Sequence, residues 1–175
     1  ASLAASTLPV LTVSDSFSTR RLQRLLQDHI PLAREMGAEV RRWTGDLLEI
    51  TAPLEPNLNH HGTFFGGSAS ALGILAGWSL VHLSCLEAGL EAEVVIQRVA
   101  VRYAAPAPGP VMARSHRPEP SAWRRFEAGY RRHGLARLRV RVELHCGGLQ
   151  IAVLDASYAA IRATDPDASP EGDPR

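Results

Sequence analysis

A stretch without Asp, Glu, Lys or Arg, from Gly62 to Leu86, constrains the fold of this 175-residue chain most strongly. The stretch is long enough to cross a bilayer, but serine, histidine and glycine residues interrupt it. A helix that is apolar on nearly all sides is normally surrounded by other parts of the protein. We therefore predict a buried core helix from about Ser68 to Glu87, and no membrane span.

The segments around this helix predict an antiparallel sheet. Apolar and polar residues alternate most clearly over 138–144, which is typical of a strand with one buried and one solvated face. Similar signals predict strands at 39–44, 47–52, 95–103, 111–116 and 149–161, and a weaker strand at Trp123–Tyr130. A shorter helix over 20–29, capped by Ser18 or Thr19, precedes them. We predict an α+β fold with the sheet against one long helix.

The length favours one domain. We expect residues 1–17 to form a flexible lead, residues 18–163 the domain, and residues 164–175 a disordered tail rich in Pro and Asp.

The composition excludes several functional classes. A net charge of +1 argues for no particular partner, and the few, irregular aromatic residues argue against a nucleic-acid platform. Cys85 and Cys146 form no C-x-x-C pair, so we predict no metal or redox site and no cofactor. Two isolated thiols, and no secretory signal in the first residues, favour the cytoplasm.

The loop before the core helix carries the chemistry. Asn59, His60 and His61 stand just upstream of the pair Gly66 and Gly67. A helix start exposes unpaired N–H groups and the positive end of the dipole, and glycine lets a ligand approach this backbone. The pattern predicts a place that holds and attacks a polarised carbonyl group.

These residues resemble a known family. The loop reads Asn-x-x-Gly-x-x-Phe-Gly-Gly over 59–67 and, with Ile-Pro-Leu at 30–32, Ala-Pro-Leu at 52–54 and Ala-Gly-Trp at 76–78, is similar to the hotdog-fold acyl thioesterases. Within them it resembles the thioesterase domain that bacteria carry alone or behind an N-acetyltransferase domain. The resemblance covers about residues 20–162 and implies a hotdog fold, in which an antiparallel sheet wraps around one long helix.

The resemblance also implies a site and partners. The substrate is an acyl thioester of coenzyme A or of acyl carrier protein, and the site lies where the two chains of a homodimer meet; whether dimers pair into tetramers stays open. The carbonyl oxygen is held at the helix start by Gly66, Gly67 and Ser68.

One departure affects the catalytic group. Relatives often place an acidic residue seven positions after the second glycine, where this chain has Ile74, and no acid follows until Glu87. We therefore expect direct attack by water, oriented by Asn59 and activated by His61 or His60, since imidazole titrates near neutrality.

Each candidate also has a structural interpretation. Asn59 can form an Asx-turn, and the two histidines can be polar loop residues. Ser68 is an oxyanion donor or cap more readily than a nucleophile, since no Gly-x-Ser-x-Gly elbow surrounds it. Asp155 is either the missing acid or a residue of the solvated sheet face.

Three further alternatives stay open. The chain can be a non-catalytic module that binds acyl thioesters or fatty acids, or less readily a dehydratase. The segment 114–141, with nine Arg against two Glu, is either a docking surface for the carrier or a solvated face. The small residues of the core helix are expected to leave room for the acyl chain.

Overall fold

The computed structural model describes residues 13–162, with side chains from residue 17 onward. Four α-helices and six strands make up this part of the chain. In chain order they are α1 (Val13–His29), α2 (Pro31–Glu35), β1 (Glu39–Trp43), β2 (Leu47–Ala52), α3 (Gly66–Glu87), β3 (Ala92–Tyr103), β4 (Val111–His116), α4 (Pro120–His133), β5 (Leu135–Cys146) and β6 (Leu149–Arg162). A single 3-10 turn, Glu55–Asn57, precedes the loop that leads into α3.

The six strands form one antiparallel sheet in the order β1-β2-β4-β5-β6-β3. Helix α3 lies against one face and contacts every strand from β2 to β6. Along β5 the side chains of 138, 140, 142 and 144 are buried, while Arg137, Arg139 and Arg141 are exposed. The alternation in the sequence therefore assigned the inner and outer faces correctly, and the predicted α+β class is confirmed.

Helix α3 is a core helix. Among the described helices it is the one long and apolar enough to cross a membrane, but 67% of its most apolar window is buried inside the protein. Leu72, Ala76 and Leu80 have no exposed surface. Burial of a leucine of this kind stabilises the fold by about 1.5–3 kcal/mol.

Two glycines let α3 approach β6 closely. A Cβ at Gly73 would lie 2.5 Å from the Leu154 side chain, and a Cβ at Gly77 would lie 2.4 Å from the hydroxyl of Tyr158. Burial raises the pKa of Tyr158, whose hydroxyl donates to Ile74 O at 2.8 Å. The predicted room for an acyl chain along the helix is wrong at these glycines, because side chains of β6 fill it.

The segment predicted as a weak strand at Trp123–Tyr130 is helical, so this prediction is wrong. Pro120 occupies the first turn of α4, and Gly134 ends it with φ 67°. Phe126 and Tyr130 are buried, and Trp123 packs on Phe126 with ring centroids 5.0 Å apart. Spacings of three and four residues place these aromatic rings on one helical face, which the weak strand pattern obscured.

Helix α1 begins at Val13, well before the predicted start at Arg20, and Ser18 and Thr19 lie inside it instead of capping it. Residues 13–19 contain no Gly or Pro that would stop a helix, so it extends upstream of the apolar stripe. The helix therefore includes the last residues of the predicted lead. The rest of that lead and the predicted tail lie outside the described residues.

Candidate active site

The loop between β2 and α3 is fastened to the body of the protein by Asn57. This residue is 1% exposed, and its Nδ2 donates to Met36 O at 2.9 Å and to Pro53 O at 2.8 Å. The backbone carbonyl oxygen of Asn57 accepts from Phe65 N–H at 2.7 Å. An isolated antiparallel β-bridge between Leu58 and Phe64 closes the loop. Asn57 therefore serves the turn and fixes the point at which α3 begins.

Asn59 folds the tip of this loop. Its Oδ1 accepts from His61 N–H at 2.9 Å and from Thr63 N–H at 3.1 Å, and its Nδ2 donates to Thr63 Oγ1 at 2.9 Å. The backbone of Asn59 also bonds to Thr63 O at 2.8 Å. Asn59 therefore forms the Asx-turn that was the structural alternative to a water-orienting role. The turn engages both the Oδ1 and the Nδ2 atom of the side-chain amide.

The two histidines stand side by side at the loop tip. The imidazoles of His60 and His61 are exposed, with ring centroids 3.8 Å apart and a tilt of 42°. Neither ring has a hydrogen-bond partner among residues 17–162. Both rings are thus available to accept a proton, and the turn made by Asn59 sets the backbone of His61.

The amino end of α3 presents unused donors. Phe65 is the N-cap residue and gives no side-chain cap, and the first turn contains no acidic residue. The first helical bond runs from Ala69 N–H to Phe65 O at 2.9 Å. The N–H groups of Gly66, Gly67 and Ser68 therefore have no acceptor within the described part of the chain. Such a cluster of donors at the positive end of a helix favours an anionic oxygen.

An aromatic ring of this chain lies against each of the paired glycines. A Cβ at Gly67 would lie 2.3 Å from the ring of Phe65, and a Cβ at Gly66 would lie 3.5 Å from the ring of Tyr103. Neither glycine has a positive φ. Close packing in the single chain therefore accounts for Gly67, where we had expected space for a ligand, and not for Gly66, since 3.5 Å is an ordinary van der Waals distance.

Two hydroxyl groups at the helix start were not predicted. Tyr103 Oη donates to Gly66 O at 2.7 Å and is also hydrogen-bonded to Ser70 Oγ. Ser70 was visible in the sequence as a polar residue in an apolar helix. Tyr103 stands at the far end of β3, and only the folded sheet brings the two together.

The acidic candidates lie elsewhere. Asp155 is on the outer face of the sheet, 4.0 Å from Arg102, which agrees with the solvated-face interpretation. Glu87 is about 30 Å along α3 from its start at ~1.5 Å per residue, and it accepts from Trp43 Nε1 at 2.7 Å. Neither carboxylate can replace the acid absent at Ile74.

The arginines of 114–141 are spread over α4 and the outer sheet face. Arg131 Nη2 donates to Ala88 O, at the opposite end of α3 from the donor cluster. A groove of about 890 Å³ on the outer face is lined by Arg98, Arg139 and Ser157 among others. This groove lies on the sheet face away from α3, and the helix start is therefore a separate site.

The cysteines take no part in the site. Cys85 is buried, and desolvation raises the pKa of its thiol to about 11. Cys146 is half-buried, and both are free. A buried thiol with a raised pKa is a poor nucleophile. No cluster of potential metal ligands occurs in the described region.

Residues 19–162 match the family model described as "Putative thioesterase (yiiD_Cterm)". The chain belongs to this family. The yiiD_Cterm match includes the loop, the donor cluster and the whole sheet, so the resemblance read from the loop motif is confirmed.

Solved structures show the same fold. A protein of unknown function from Chlorobaculum tepidum is 28% identical with a TM-score of 0.78, covering 83% of this chain and 94% of its own. A "putative thioesterase" from Shewanella oneidensis is 26% identical with a TM-score of 0.76, covering 83% and 99%. A "probable thioesterase" from Pseudomonas aeruginosa, 20% identical with a TM-score of 0.72 and covering 82% and 95%, shows the fold alone. The hotdog fold of this yiiD_Cterm domain is confirmed.

Proposed function

We propose that this protein hydrolyses acyl thioesters, R–CO–S–pantetheine, with the carbonyl oxygen held at the start of α3. The observation that carries the proposal is the set of N–H groups of Gly66, Gly67 and Ser68, which have no acceptor among residues 13–162. The family membership and the Shewanella likeness support thioester hydrolysis as the class of reaction.

Hydrolysis of the thioester involves three changes. The oxygen of water bonds to the carbonyl carbon, the C–S bond breaks, and a proton from the water ends on the leaving sulfur. Negative charge develops on the carbonyl oxygen, where the backbone donors stabilise it; one such donor is typically worth about 2.7–4 kcal/mol.

A loop imidazole is the proposed proton acceptor. His61 is favoured over His60 because its backbone N–H is fixed by Asn59. Asn59 then acts by holding the loop, since its amide is already engaged. Since Ile74 replaces the usual acid, an imidazole is the side chain of this loop that we propose as general base.

A hydrolysis screen tests the proposal. Purified protein is offered acyl-CoA and acyl carrier protein substrates of increasing chain length, and thiol release is measured. We expect turnover on at least one carrier, and a loss of about 10²-fold or more for His61→Ala if this ring is the base, with His60→Ala as the matched control. Tight binding of acyl-CoA without turnover at any chain length would instead favour the non-catalytic module.

We also propose that two chains pair through β3. This strand is at the edge of the sheet, and apolar side chains are exposed on both of its faces: Val95 is 42% exposed, Ile96 38%, Val99 37% and Tyr103 54%. A long apolar edge strand normally needs a cover, and a second copy offers a matching edge. The pairing would place a second chain beside the helix start, since Tyr103 of β3 touches Gly66.

Molar mass in solution tests the pairing. We expect the parent to sediment as a dimer of the 19.0 kDa chain, and Val99→Lys, which places a charge in the edge, to sediment as a monomer. Leu149→Lys is the control, because Leu149 is 57% exposed at the first residue of β6, away from the edge strand β3. A monomeric parent would contradict the proposed interface.

We also propose that the protein is located in the reducing cytoplasm, and the free thiols of Cys85 and Cys146 agree with this location.

A further inference from the structure

We propose that the hydroxyl pair of Ser70 and Tyr103 holds the attacking water, in place of the carboxylate that α3 lacks. This inference rests on the proposed hydrolysis and adds two residues to it. Tyr103 reaches from the end of β3 to the first turn of α3, where its Oη bonds to Gly66 O at 2.7 Å and to Ser70 Oγ.

The protons of this pair can be assigned from its bonds. A carbonyl oxygen only accepts, so the single hydroxyl proton of Tyr103 must go to Gly66 O. The bond between the two hydroxyl groups must then use the proton of Ser70. Ser70 Oγ has no proton left, and it offers only acceptor lone pairs to a further partner.

The position of Ser70 gives this acceptor a use. Residues three and four apart share a helical face, and helical side chains lean towards the amino end, so Ser70 lies over the turn of Gly66 and Gly67. Donors from the backbone and one acceptor from Ser70 thus stand next to each other. A carbonyl oxygen needs the donors, and a water molecule beside it needs the acceptor.

The bond to Tyr103 is unusual for a serine in a helix. Such a serine commonly bonds back to the carbonyl four residues earlier, which here is Gly66 O. Tyr103 occupies that carbonyl instead and turns the serine proton away from it. Tyr103 is therefore a positioning residue that acts through Ser70, and Ser70 is the group that touches the water.

A second tyrosine provides a matched control for the test. Tyr158 Oη donates to Ile74 O, further along the same helix, and is fully buried. Tyr103→Phe and Tyr158→Phe each remove one hydroxyl group that bonds to an α3 carbonyl and keep the ring. Tyr103→Phe therefore also keeps the apolar surface of β3.

We expect Tyr103→Phe and Ser70→Ala each to lower kcat about 10- to 100-fold, with KM within about threefold and Tm nearly unchanged. The double variant should lose no more than the larger single loss, since the two groups act as a unit. Ser70→Thr, which keeps the hydroxyl group, should recover part of kcat. Tyr158→Phe should lower Tm and leave kcat as in the parent.

Two results would overturn the inference, and they are distinguishable. If the parent hydrolyses thioesters but Tyr103→Phe and Ser70→Ala keep its kcat, the pair is only a tie between β3 and α3, and the proposed function stands. If the parent itself hydrolyses no thioester on either carrier, the proposed function fails and the inference fails with it.

Discussion

Replacing Ser68 with aspartate is expected to abolish thioester hydrolysis while the fold stays at least as stable. The new carboxylate would lie in the first turn of α3, where it accepts from the unused N–H groups and repels a developing oxyanion. Loss of one oxyanion donor lowers kcat about 10²–10³-fold, and we expect a loss at least as large. An acidic residue at this place in a helix stabilises it by about 0.3–1 kcal/mol.

Paired assays of turnover and thermal unfolding measure both effects. Ser68→Asn introduces a side chain of nearly the same size as aspartate but without its charge. Ser68→Ala removes the hydroxyl group but keeps the backbone N–H. Both variants should retain activity within about tenfold of the parent. A Ser68→Asp variant that turns over like the parent would show that no oxyanion forms there. A Ser68→Ala variant that is inactive would revive the nucleophile interpretation.

Gly77→Ala is expected to cause a large loss of stability. The added Cβ would lie 2.4 Å from Tyr158 Oη and 2.9 Å from the ring, and Tyr158 has no exposed surface into which it could move. Overpacking of a core commonly costs about 1–3 kcal/mol, and loss of the bond to Ile74 O would add about 1 kcal/mol. The gain of about 1 kcal/mol in helix propensity offsets only part of this.

Denaturant unfolding at one fixed protein concentration checks this result, because the stability of the proposed dimer would depend on concentration. Gly129→Ala in α4 is the control: its Cβ would meet only the Ala136 Cβ at 3.7 Å, so this change should stabilise by up to about 1 kcal/mol. Tyr158→Phe combined with Gly77→Ala removes the closest atom and should recover part of the loss. Equal stability of Gly77→Ala and the parent would contradict the close packing.

The core helix and most strands could be predicted because local patterns determined them. The charge-free run gave α3 to within two residues of its start, and alternation gave β2 and β4 with their observed bounds. Helix α4 was not predicted, because the aromatic residues Trp123, Phe126 and Tyr130 favour a strand by residue type although their spacing is helical. The position of β3 at the edge of the sheet could not be predicted, because it depends on the order of the strands. The alternation of apolar and polar residues along one strand gives no information on that order.

The candidate site could be predicted only where its residues are neighbours in sequence, and the catalytic roles of these residues stay predictions. The loop motif gave the two histidines and the donors beside Gly67, because a helix start creates these donors locally. The contact between Ser70 and Tyr103 joins residues 33 positions apart, and it exists only because β3 returns along α3. The engagement of Asn59 by Thr63 likewise needed the folded loop.

The amide signals of Gly66, Gly67 and Ser68 provide the most direct test of the central claim. The protein, labelled with ¹⁵N, is titrated with an acyl-CoA analogue in which a methylene group separates the carbonyl carbon from sulfur, so that it binds but is not hydrolysed. We predict that these amide resonances show the largest shifts in the spectrum as the ketone oxygen accepts their hydrogen bonds. Saturating binding that leaves them unchanged, while resonances elsewhere move, would contradict the proposed oxyanion site.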